Sequence, residues 1–313
     1  MGVSLQLKGD LLSARESFEQ GIALYGSPLQ RSRVPMSVLD PGIGCQCHLA
    51  RTLWLLGYPD QALRMIRETV AMAQGLRHPE SSAFALVFTA SVHHFRRERQ
   101  MCQENARMAI SLSTEQGLPF YLVWASIYHG WAVAKDDHFV EGIAQIREGL
   151  TRWSASGSEV VRPYFLALLA DALMNGGHRE EALSAAAEGL EVASRTGERY
   201  YEAELYRLKG ESLRLQAAGD LLAGGGDVSS PSGARSALLE KAEACFREAI
   251  GMARRQQARS LELRAAMGLS RLYKESDRKG SARSMLAEVY GWFTEGFETE
   301  ELREARGLLQ ELL

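Results

Sequence analysis

The chain has 313 residues, 46% of them hydrophobic and 24% charged, with a formal net charge of −3. This is globular composition, which excludes a disordered tail and a collagen-like fibre. Lys+Arg 36 against Asp+Glu 39 leaves no bulk positive charge, which argues against a dedicated nucleic-acid binder. Cys45, Cys47, Cys102 and Cys245 are few and irregularly spaced, as in a reducing cytosol and unlike a disulfide scaffold. The N-terminus has no cationic stretch followed by a long apolar core, so no signal peptide is read, and Gln6 stands where a myristoylation signal wants Ser or Thr. Ser82–Val92 and Tyr164–Met174 are too short to span a bilayer. Together these features predict a soluble, cytoplasmic protein without a membrane partner.

Internal repetition organises the chain. Small residues recur at Ala14, Ala62, Cys102, Gly142, Ala182, Ala242 and Ala282, in steps of 48, 40, 40, 40, 60 and 40 residues. Twelve residues upstream of each lies Gly2, Ala50, Ala90, Gly130, Ala170, Gly210 or Ser270, the sixth after correction for a 20-residue insertion. This is tetratricopeptide logic: two antiparallel helices approach closely where both carry small side chains. In chain order, residues 1–25 read as a partial first repeat whose second helix is Leu11–Tyr25, and 26–42 as an irregular connection bearing Pro28, Pro35 and Pro41. Full repeats span 43–293, with helices near 44–56, 60–74, 80–97, 100–115, 120–134, 139–155, 161–175, 179–195, 200–216, 236–256, 259–274 and 279–292. Gly117, Gly157 and Gly197 mark helix ends at 40-residue steps, and Pro79 and Pro119 mark first turns. The segment 217–237, with Gly224-Gly225-Gly226 and Ser229–Gly233, reads as a flexible insertion; no Gly-Lys-Ser/Thr follows its glycines, so it is no phosphate loop. A capping helix closes the chain at 299–313. The predicted fold is all-α: one tetratricopeptide-like solenoid of helical hairpins over 1–313, wound as a right-handed superhelix.

Several strings carry a resemblance. Leu55–Leu63 (LLGYPDQAL), Arg162–Ala170 (RPYFLALLA), Gly197–Arg207 (GERYYEAELYR) and Tyr290–Thr299 (YGWFTEGFET) resemble the C-terminal tetratricopeptide region of large bacterial signalling proteins. Those proteins join a cyclase, kinase or winged-helix domain to a predicted ATPase domain and then to such an array. The resemblance implies signal transduction beside adenylate/guanylate cyclase or ATPase domains as upstream partners. The cyclase carboxylates and the ATPase P-loop are not in this sequence.

Candidate chemistry yields mostly to structural readings. Cys45-x-Cys47-His48 has metal-ligand residue types, but residues i and i+2 diverge on a helix and the other cysteines fall in other repeats, so no metal is assigned. His93-His94 diverge likewise. Asp136-Asp137 read as turn caps. Arg96, Arg97 and Arg99, and Arg254, Arg255 and Arg259, read as solvated basic faces. Trp292, Phe293 and Phe297 read as an aromatic seal before the closing helix. No nucleophile or metal motif and no cofactor motif is present, so the chain is read as a non-enzyme.

The first helix of each pair is expected to line an inner groove. Its candidate partner-binding residues are Arg51, Trp54, Phe84, His94, Trp124, Ile127, Trp131, Tyr164, Asp171, Arg207, Arg214 and Arg271. The first eight form an aromatic sector, with Trp124, Trp131 and Tyr164 expected to stay partly exposed and to face one space. In the charged sector, Glu204 and Glu211 alternate with Arg207 and Arg214. Either the arginines hold a partner's carboxylates or phosphates, or the glutamates neutralise them within the array. The function read is a regulatory scaffold that holds a protein or peptide segment in the groove. The alternatives are a fragment of a larger cyclase or ATPase, and an RNA-binding helical repeat, which demands a continuous basic groove.

Overall fold

The computed structural model describes residues 1–25, 39–223 and 233–313. Among these, every regular element is a helix. In order they are α1 Gly2–Lys8, α2 Leu11–Tyr25, α3 Pro41–Leu55, α4 Pro59–Leu76, α5 Pro79–Phe95, α6 Arg99–Glu115, α7 Pro119–Ala134 and α8 Phe139–Ala155. Then come α9 Arg162–Asn175, α10 Arg179–Thr196, α11 Glu202–Ala223, α12 Gly233–Arg255, α13 Arg259–Glu275, α14 Lys279–Tyr290 and α15 Glu300–Glu311. They form two compact units, Met1–Glu159 and Val160–Leu313. No helix among the described residues is long and apolar enough to cross a membrane.

The hairpins close where the small residues meet. Ala14, Ala62, Cys102, Ala182, Ala242 and Ala282 are completely buried, as are Ala50, Ala90, Ala170 and Ser270. The tightest approach joins α7 to α8: a Cβ on Gly142 would lie 2.4 Å from both the Ala134 nitrogen and the Gly130 oxygen. Next to such contacts, larger side chains fill the hairpin. Ile127 presses on Gly149, and the Phe246 ring lies between Gly210 and Gly268.

The turns repeat with the hairpins. Gly117, Gly157 and Gly197 adopt positive φ of 66°, 78° and 74° at the expected ends of second helices. Arg77 and Gln257 hold the equivalent positions with φ of 52° and 56°, conformations that cost a residue with a Cβ about 1–2 kcal/mol. Prolines start α3, α4, α5, α7 and α9, where the missing N–H loses no hydrogen bond. Val161, the N-cap of α9, has φ 58°, an uncommon conformation for a β-branched residue. Its N–H donates to the buried carboxylate of Glu198 at 2.8 Å.

Three expectations change. The first repeat does carry a first helix, α1, though only seven residues long. Its Gln6 amide donates to the His48 carbonyl at 3.0 Å and to Thr52 Oγ1 at 2.7 Å, tying α1 to α3. The expected insertion 217–237 is helical at both ends: α11 continues to Ala223, α12 begins at Gly233, and Ala217 is completely buried. Residues 224–232 and 26–38 lie outside the described residues. Asp136 does not cap α8; its carboxylate pairs with Arg99 at 3.1 Å, and Asp137 sits in the turn with φ 62°.

Two substitutions test this packing. Gly142→Ala forces backbone apart and lowers unfolding stability by about 1–3 kcal/mol, read by denaturant titration. Arg77→Gly relieves the left-handed turn and raises stability by about 0.5–1 kcal/mol, whereas Arg77→Ala leaves it nearly unchanged.

Candidate binding surface

In the first unit the expected groove residues pack against other rings of the same unit. Trp54 stacks on Phe95 at 4.5 Å, Phe84 on Phe88 at 4.4 Å, and His94 meets Trp131 edge-on at 4.5 Å. Phe88 also meets Trp124 at 5.5 Å, which links α5 to α7. The Arg51 guanidinium lies 5.2 Å from the Phe88 ring and 5.6 Å from the Phe95 ring. Trp124 turns back into its own hairpin and meets Trp153 of α8 at 5.8 Å. Exposures follow: Arg51 2%, Trp54 1%, Phe84 7%, His94 6%, Trp124 6%, Ile127 0% and Trp131 2%. The expected partly exposed aromatic sector is therefore core. The physical reason is volume, since rings on neighbouring first helices are large enough to close the space between them.

The Cys-x-Cys-His string is also absorbed. Cys47 is buried, and the His48 Nδ1 faces Gln6 Oε1 at 2.8 Å while its ring stacks on Phe18 at 5.5 Å. Burial, with Arg51 nearby, pushes the His48 pKa down to about 3. The basic run beside α5 is paired rather than solvated. Arg96 is 8% exposed, donates to the Pro59 carbonyl at 2.7 Å and bonds Glu98 at 2.8 Å. Arg254 and Arg259 both pair with Glu262, at 2.6 and 2.7 Å.

In the second unit the first helices α9, α11 and α13 keep charge at the expected positions. Tyr164 is the exception; it is fully buried and meets Tyr201 edge-on at 4.8 Å. Along α11, residues three apart form two forks. Arg207 donates twice to Glu204, at 2.9 and 2.9 Å, and Arg214 twice to Glu211, at 3.2 and 2.7 Å. Arg264 of α13 bridges Glu204, at 3.2 Å, to Glu301 of α15. Arg214 reaches Glu275, and Arg271 reaches Glu304. The glutamates thus neutralise the arginines within the unit, the second of the two readings left open by the sequence.

These pairs set the local electrostatics. Burial opposes the charge on Arg264, but the carboxylates of Glu301 and Glu204 outweigh it and hold its pKa above the ordinary value. The same balance, with Glu204 and then Asp171, raises Arg207. Burial works against ionised Glu211, yet Arg214 and Arg207 hold its carboxyl below the usual range. Glu202 is the contrary case. One of its carboxylate oxygens is buried without a hydrogen-bond partner. Burial raises its pKa, opposed by Arg199 and reinforced by Glu248.

The sequence reading missed the acidic side of this network: Glu275, Glu301, Glu304 and Glu311. For Glu301, Glu304 and Glu311 the signal was present as carboxylates at intervals of three and seven in the closing helix. In the first unit, a cleft of about 410 Å³ opens between α4 and α6, lined also by Ala85 and Leu86 of α5 and bordered by Met108 and Glu115.

Two measurements follow. The unfolded chain protonates His48 near pH 6.5, but the folded first unit excludes that proton down to about 3. The first unit therefore keeps this contribution above pH 6.5 and loses it as the pH falls, read through Trp54, Trp124, Trp131 and Trp153 emission, with His48→Gln flattening the profile. Glu202 has the opposite sign: its contribution is whole below its ordinary value of 4.5 and is lost as pH rises through the higher folded value. Glu202→Gln thus stabilises the second unit at neutral pH. Separately, Trp131→Ala opens a core cavity and costs about 3–5 kcal/mol, read by thermal unfolding.

No family model matches the sequence, and no curated protein matches it. Solved structures do resemble it. A Rap protein complexed with Competence and Sporulation Factor aligns with TM-score 0.64 and 13% identity over 99% of this chain and 85% of its own. Human IFIT1 with m7Gppp-AAAA aligns with TM-score 0.59 and 14% identity over 96% of this chain and 64% of that chain. Yeast Tom70 aligns with TM-score 0.53 and 12% identity, and this chain, covered over 96%, spans 59% of Tom70. At these identities the likeness shows the fold alone, an all-α, tetratricopeptide-like helical-repeat solenoid.

Proposed function

We propose that this chain is a non-catalytic protein-binding module of a regulatory system, with its contact surface on the charged first helices of the second unit. The observation that carries this reading is the pair of glutamate–arginine forks on α11. Arg207 and Arg214 are each 13% exposed and held in fixed orientation by bidentate bonds to Glu204 and Glu211, so a partner lying along α11 meets charges of both signs already ordered, at little further cost in side-chain order. In the first unit, by contrast, the first helices spend their side chains on each other. The Rap structure, solved with Competence and Sporulation Factor, supports a binding role for this architecture. The strings LLGYPDQAL, RPYFLALLA and GERYYEAELYR support a setting beside cyclase or ATPase domains. The four free cysteines suit a cytoplasmic location.

IFIT1 with m7Gppp-AAAA supports a second reading, RNA binding on the same fold. The pairing of the arginines with glutamates favours a protein partner over a phosphate backbone. The test is affinity capture, followed by quantified binding of the captured protein. Arg207→Gln with Arg214→Gln weakens that binding by about 1–3 kcal/mol at unchanged helicity, while the outward-facing control Glu191→Ala does not. Equal binding by all variants removes α11 from the contact surface, and capture abolished by ribonuclease selects RNA.

A further inference from the structure

The closing helix shows what kind of chain the charged face accepts. Three basic residues of α13 meet three carboxylates of α15: Arg264 with Glu301, Arg271 with Glu304, and Lys274 with Glu311 at 2.8 Å. The bases are spaced by seven and then three residues, the carboxylates by three and then seven, so the two helices run in the same direction. The junction between α11 and α13 uses the same chemistry, with Glu204 on Arg264 and Glu275 on Arg214. α15 therefore occupies the place that the first helix of a following hairpin would take.

Its hold is uneven. Only the Arg264–Glu301 pair is buried, at 4% and 7% exposure; Arg271 and Glu304 stand at 31% and 41%, and Lys274 and Glu311 at 40% and 58%. Exposed pairs contribute little and are screened by salt. The apolar side is Leu302, Ala305, Leu308 and Leu312, all buried, with Leu309 partly buried against the same core. A helix of twelve residues is marginal by itself, and local opening of such an element takes less free energy than global unfolding. The stretch before it, from Gly291 to Thr299, is non-helical and turns at Gly296 with φ 77°.

We propose that the face of α13 bearing Arg264, Arg271 and Lys274 is a docking surface for an acidic amphipathic helix, and that α15 is its resident, displaceable occupant. The partner helix carries carboxylates and leucines in the α15 pattern, Glu-Leu-x-x-Ala-x-x-Leu, and takes the place α15 vacates. This deepens the protein-binding reading above and rests on it, but it concerns α13 rather than α11.

The test uses the full chain and a fluorescent synthetic peptide of residues 298–313. Anisotropy reads binding, and amide hydrogen exchange reads α15. The expected result is saturable binding of one peptide per chain, with α15 amides exchanging about tenfold faster at saturation. On the chain with Arg271→Glu and Lys274→Glu, at unchanged circular dichroism, a peptide carrying Glu304→Lys and Glu311→Lys binds about tenfold tighter than the unaltered peptide, because it pairs with the reversed face as the resident α15 cannot. Absence of binding to the unaltered chain overturns the proposal. So does binding that leaves α15 exchange unchanged, or a reversed-charge peptide that binds the altered chain no tighter than the unaltered peptide does. Loss of partner binding in the α11 variants with the peptide result intact, or the reverse, separates this proposal from the reading it rests on.

Discussion

Everything in this molecule depends on how closely two helices of a hairpin can approach. At the α7–α8 pair a single methyl group would collide with backbone, which leaves glycine as the side chain that fits at position 142. Elsewhere alanine, serine or cysteine suffices. Once that distance is set, the turns have little choice. They need a left-handed residue, and the chain accepts Arg77, Arg97, Asp137, Gln257 and Asp277 there when glycine is missing. The hairpin geometry is thus strong enough to impose unfavourable backbone conformations, each at a cost of about 1–2 kcal/mol.

The space between neighbouring first helices is then filled in two different ways. The first unit uses rings, and each well-placed aromatic pair adds about 0.5–1.5 kcal/mol beyond its buried area. This solution withdraws Trp54, Trp131 and Ile127 from water. The second unit uses ion pairs. Buried pairs such as Arg264–Glu301 give little net stability after desolvation, but removing either partner is expensive, so they fix which helix lies against which. That difference is the ground on which the binding role is proposed for the second unit. Charge that is partly solvated can be re-paired with a partner, whereas a closed aromatic core exchanges nothing.

The helices, the 40-residue register and the small-residue contacts were legible in the sequence because they depend on local periodicity and on side-chain size. Proline and glycine marked most of the boundaries for the same reason. The extension of α11 to Ala223 was not legible, because the glycine and serine content of the segment masked the alanines and leucines before it. α1 was missed because seven residues carry too little periodicity to be recognised.

The candidate surface divided along the same line. The sequence by itself determined which residues sit on the first helices and which of them carry charge, and it set Glu204 and Glu211 in alternation with Arg207 and Arg214. Only the tertiary structure decided that Trp124, Trp131 and Tyr164 are core. Burial depends on the volume contributed by neighbouring repeats, and a position within one repeat carries no record of that volume. Only the tertiary structure paired α13 with α15, because Arg264 and Glu301 are 37 residues apart. Contacts at that separation arise from how hairpins stack, and no local pattern encodes them.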